Sequence, residues 1–90
     1  MSTNTHTNKN ATTAAVCRYV QQTKKLSIRG ISRLLGIHHR TWQRYLSGIS
    51  RPEVAVRHRL VILMEVKNFE ELVKSAMRHH VGNLIRDAYG

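Results

Sequence analysis

Residues 26–48 read Leu26-Ser27-Ile28-Arg29-Gly30-Ile31-Ser32-Arg33-Leu34-Leu35-Gly36-Ile37-His38-His39-Arg40-Thr41-Trp42-Gln43-Arg44-Tyr45-Leu46-Ser47-Gly48. Ser27 is an N-cap residue type, because its side-chain oxygen can accept from a free N–H of a first helical turn. Ile31, Leu34 and Leu35 then form an apolar face. Gly36 falls where a helix should end in a left-handed residue. Ile37 follows as a buried turn residue. A second short helix begins near His38. Its residues Trp42, Tyr45 and Leu46 point one way, and His39, Arg40, Gln43 and Arg44 point the other. Gly48 is the next stop signal. Two short helices, a glycine-containing turn and an exposed polar face make a helix-turn-helix pattern.

On the N-terminal side, residues 1–11 are rich in Thr and Asn and almost free of apolar residues. They predict a disordered polar tail. Ala15, Val16, Tyr19 and Val20 predict a helix over 12–23, with Lys24 and Lys25 at its negative end. Cys17 is the lone cysteine, so no intrachain disulfide is possible, and it reads as a helix residue near the core.

On the C-terminal side, Ser50-Arg51-Pro52-Glu53 has the spacing of a capping box, which predicts a helix over 51–66. Asn68 with Glu71 is a further start signal. Beyond it, Phe69, Val73, Met77, Val81, Ile85 and Tyr89 form one row at spacing four. Leu72, Ala76, Leu84 and Ala88 form a neighbouring row. Gly82 either divides this amphipathic stretch or is passed through. A compact core needs less apolar surface than this, which predicts a dimer interface from Leu72, Val73, Met77, Val81, Leu84, Ile85 and Tyr89. The alternative is a tail folded back on its own core.

Charge separates the two halves. Nine basic residues precede Glu53, the first acidic residue, while residues 53–90 hold six basic and five acidic ones. The net charge is +10, which implies a polyanionic partner. A membrane is disfavoured: the longest fully apolar run is residues 60–64, and the N-terminus lacks the apolar stretch of a signal peptide. Cytoplasmic residence is therefore expected. Adjacent histidines at 38–39 and 79–80 do not face one ligand together, and no C-x-x-C or H-E-x-x-H spacing occurs, so no metal is expected. With five carboxylates and no acid/base couple, no catalysis and no cofactor are expected.

Residues 26–48 resemble the helix-turn-helix of the Cro and lambda-repressor (XRE-like) family. The resemblance rests on Leu26-Ser27, Ser32, Leu35-Gly36-Ile37, Thr41-Trp42, Arg44-Tyr45 and Gly48, without a gap, over about a quarter of the chain. Ile28 stands where the family often has a phosphate-contacting Gln. His38 stands where a Ser often caps the third helix, which leaves capping to the imidazole or to water. The resemblance implies an all-α fold of five or six helices, with a helix-turn-helix DNA-binding domain over 12–66 and an amphipathic dimerisation segment over 67–90. It also implies sequence-specific binding of double-stranded DNA as a homodimer on an inverted-repeat operator. Steric repression follows, including of its own promoter, in a phage or plasmid setting. A chain of this size leaves no room for a ligand-sensing domain.

In that setting Arg40 and Gln43 are the main base readers, able to pair in bidentate fashion with guanine and adenine, and His39 and Arg44 come next. Ser27, Arg29, Arg33, Thr41, Ser47 and Arg51, with Lys24 and Lys25 at the rim, are the phosphate contacts. Trp42 and Tyr45 are read as core rather than as base-stacking residues. Two rival readings are an antitoxin-like protein that binds both DNA and a protein partner, and a non-specific architectural DNA binder.

Overall fold

The computed structural model describes the backbone of residues 3–89 and the side chains of residues 10–79. It is all-helical: α1 (Thr3–Lys24), α2 (Ile28–Leu35), α3 (His39–Leu46), α4 (Val54–Met64) and α5 (Phe69–Tyr89), with no strand among the described residues. One core draws on every helix: Val16, Cys17 and Val20 from α1, Ile31 and Leu35 from α2, Trp42 and Tyr45 from α3, Val56 and Leu60 from α4, and Leu72 and Ala76 from α5. α1 packs most extensively on α5 and next on α3. Burial pushes the Cys17 thiol up to about 12 against a small opposing effect of Arg18, so it stays protonated and inert.

Four helices end in one way. A residue at positive φ closes the helix: Lys25 (φ 54), Gly36 (φ 70), Gly48 (φ 78) and Glu65 (φ 56). Its N–H bonds back three residues, and the next N–H bonds back five. The pairs are Lys25 to Gln22 with Leu26 to Gln21, Gly36 to Arg33 with Ile37 to Ser32, Gly48 to Tyr45 with Ile49 to Arg44, and Glu65 to Ile62 with Val66 to Val61. This is the Schellman closure, and the residue after each closing position is apolar: Leu26, Ile37, Ile49 and Val66.

Several expectations are corrected. Helix α1 begins at Thr3 rather than Thr12, so residues 3–11 are helical rather than an irregular tail. No Gly or Pro interrupts the segment, and polar bonds anchor its inner part: Asn10 Nδ2 donates to the Gly48 carbonyl at 2.9 Å, and Thr13 is buried. Helix α4 spans Val54–Met64 instead of 51–66, and the Ser50 capping box does not form. Pro52 is buried and disfavours helical backbone at Arg51, so the N-cap passes to Glu53, which makes no side-chain cap bond. Gly82 does not divide α5. Leu34 is 60% exposed rather than part of the core face, and Ile37 is half-buried. A helix of eight residues directs only a narrow arc inward, and Ile31 and Leu35 fill it.

The row that predicted a dimer face divides. Leu72 is 0% exposed within the single chain and belongs to its core, so it leaves the interface set. Ala76 is buried beside it, and Val73 and Met77 are half-buried against the same core. The first part of α5 is thus folded back on α1. The side chains of Val81, Leu84, Ile85 and Tyr89 lie outside the described residues.

Candidate nucleic-acid interface

The geometry of the α2–α3 pair starts from its caps. Ser27 Oγ accepts the Gly30 N–H at 3.0 Å and opens α2. Residues 36–38 form the turn. His38 Nδ1 accepts the Arg40 N–H at 3.1 Å and opens α3, so the imidazole does the work of the absent serine. The far ends are held by two arginines. Arg18 of α1 donates to the Leu46 carbonyl at 2.7 Å, and Arg59 of α4 donates to the Leu35 carbonyl at 2.6 Å. Each places a cation on the last carbonyls of a helix, where the helix dipole is negative.

Inside α3, Trp42 is fully buried and its Nε1–H donates to Gln21 Oε1 at 2.7 Å. The Trp42 and Tyr45 rings meet edge to face at 6.2 Å. These two anchors fix the helix roll, and the reading of both as core residues holds. Opposite them, Arg40, Gln43 and Arg44 are exposed and His39 is half-buried. At 3.6 residues per turn the four occupy an arc of about 140°.

Among the expected phosphate contacts, Lys24, Lys25, Ser27, Arg29, Arg33 and Arg51 are exposed. Thr41 is half-buried and projects away from the His39–Arg44 arc, so it does not share that face. Ser47 is exposed, but its hydroxyl already donates within the chain, to the carbonyls of Gln43 at 3.0 Å or Arg44 at 3.3 Å. Arg29 and Arg33 line a cleft with Ser32, Ile37, His38 and His39.

Sequence reasoning missed the positioning residues. Arg18 is one of the nine basic residues before Glu53, and its guanidinium is engaged on α3. Gln21, Asn10 and Arg59 carry no periodic signal, because each bonds one polar atom across a tertiary gap. The apolar surface left outside is also unforeseen: Leu34, Ile49, Val54 and Ile62 are all at least 60% exposed.

Among the described residues no group of His, Cys, Asp and Glu could hold a metal ion, and no helix is long and apolar enough to cross a membrane. No family model, curated protein or solved structure matches the chain.

Proposed function

We propose that this chain is a helix-turn-helix regulator of the Cro and lambda-repressor type that binds double-stranded DNA. The observation that carries the reading is the outer face of α3, where His39, Arg40, Gln43 and Arg44 project from a helix anchored by buried Trp42 and Tyr45. An α-helix fits the major groove, and these side chain types can pair with base edges there. The surroundings support it: Lys24, Lys25, Arg29, Arg33 and Arg51 are exposed, and no acidic residue precedes Glu53. A surface of one sign attracts phosphate without internal competition.

The working unit is a homodimer on an inverted repeat with half-sites about 10 bp apart, or a multiple of that. The chain acts in the cytoplasm as a binding module without catalysis, repressing a promoter by occupying it. With Leu72 assigned to the core, self-association rests on the outer edge of Val73 and Met77 and on the last turns of α5.

Selection of bound duplexes from a random pool tests the reading. The expected product is an inverted repeat, bound with an affinity that falls steeply as salt rises. Equal retention of all sequences would make the protein an architectural binder. An absence of duplex binding at low salt would end the proposal.

A further inference from the structure

The cleft between α2 and the start of α3 contains two imidazoles with different duties. The rings of His38 and His39 stack at 4.3 Å, inclined by 28°. His38 Nδ1 accepts the Arg40 N–H, which requires a lone pair on that nitrogen. A proton there would remove the cap and set a cation at the positive end of α3. His39 carries no capping bond.

The charged groups around His39 are of one sign. Arg29 of α2, Arg40 of α3 and the neighbouring His38 act on it, and Arg33 of α2 lines the same cleft. Neither α2, the turn nor α3 contains a carboxylate. Partial burial first, then His38, Arg29 and Arg40, hold the His39 imidazole below its ordinary value. A phosphodiester in the cleft would reverse that field, and an anion beside an imidazole favours its charged form.

We propose that duplex binding is linked to protonation of His39: a backbone phosphate entering beside Arg29 and Arg33 is bound together with one proton taken from solvent. The proton sits on the His39 ring, bonded toward a phosphate oxygen, and returns to solvent on release. The Nδ1 lone pair of His38 is engaged by its cap, so His39 is the ring of the pair that can turn to the phosphate. The inference rests on the duplex-binding reading, moves His39 from a base edge to the phosphate backbone, and adds a regulation to that reading. The sign follows from linkage. The free chain holds His39 below the usual imidazole range and the complex holds it higher. Affinity is therefore flat above the complex's value and rises as pH falls toward that of the free chain. One proton sets a limit of about tenfold per pH unit.

The test is fluorescence anisotropy with a mixed-sequence duplex of about 24 bp, from about pH 8 to about pH 5.5 at constant low salt. Calorimetry in buffers of different ionisation heat counts the protons. Wild-type affinity is expected to rise about three- to tenfold between pH 7.5 and 6, with net proton uptake. His39→Gln should abolish most of that slope. His38→Asn keeps a side-chain cap acceptor and should retain it. A wild type whose affinity ignores pH overturns the proposal, as does His39→Gln with the full slope. Loss of the slope in His38→Asn moves the proton to His38 and overturns the assignment. Failure to bind the duplex at any pH instead removes the duplex reading itself.

Discussion

From Asn10 to Gly48, polar side chains reach across gaps to fix backbone and rings; from Val54 onward, apolar packing does most of the holding. In the first region Asn10 bonds Gly48, Arg18 bonds Leu46, Gln21 bonds Trp42, and Ser27 and His38 cap their helices. In the second, Asn68 caps α5 through the Glu71 N–H at 2.9 Å, and Arg57 lies over the Phe69 ring at 5.8 Å. Its other long-range polar bond, from Arg59, reaches back to α2. The difference follows from charge. A region without acidic residues cannot brace itself with ion pairs, so beside its share of the apolar core it is braced by cations and amides bonded to carbonyls. The outward cations are then left free for an external anion. Stability and binding should therefore reside on different residues of the same short helix.

Within α3 the two roles separate most clearly. Trp42→Ala removes a fully buried ring and leaves Gln21 without its partner. It should cost about 3–5 kcal/mol of stability in urea denaturation. Arg40→Ala, on the exposed face, should leave stability within about 0.5 kcal/mol. Under the duplex reading it should remove about 1–3 kcal/mol of discrimination at one base per half-site. Equal loss of affinity for every sequence would make Arg40 a phosphate contact. A large loss of stability would erase the division of labour altogether.

A smaller effect sharpens the other side. Leu72 was expected at a subunit interface and is instead fully buried in the single chain. Leu72→Ala should cost about 2–4 kcal/mol. That loss should be the same at every protein concentration, because no partner is needed to bury the residue. A loss that fades as the protein is diluted would return Leu72 to the interface.

These residues show where the sequence was readable. Local chemistry was: Ser27 and Asn68 cap as their side chains allow, Gly36 turns left-handed, and Trp42 and Tyr45 face inward. The polar face of α3 followed from the same periodicity. Choices made by tertiary geometry were not. Leu72 lies on an amphipathic row whether its cover is α1 or a second chain, and periodicity does not distinguish the two. Arg18 looks like any other cation until α3 ends beside it. Pro52 permits an early helical position, but it also disfavours helical backbone at Arg51, and the structure takes the second course, with α4 starting at Val54. The two charged residues that close helices were also silent, since the sequence marks such a turn only when glycine occupies it.

Gly36 and Gly48 close α2 and α3, whereas Lys25 and Glu65 close α1 and α4 with the same bonds and the same left-handed backbone. A residue with a Cβ pays roughly 1–2 kcal/mol there that glycine does not, while glycine loses about 0.5–1 kcal/mol more conformational entropy on folding. The difference favours Lys25→Gly by up to about 1 kcal/mol, a rise in melting temperature of about 4–8 °C per kcal/mol for a domain of this size. Lys25 is exposed, so no packing is lost with the side chain. The readout is thermal unfolding of Lys25→Gly beside Gly36→Lys, which should fall where the first rises. A decrease in Lys25→Gly would mean that the lysine contributes more to the end of α1 than its backbone strain removes, and glycine and lysine would then be closing their helices for different reasons.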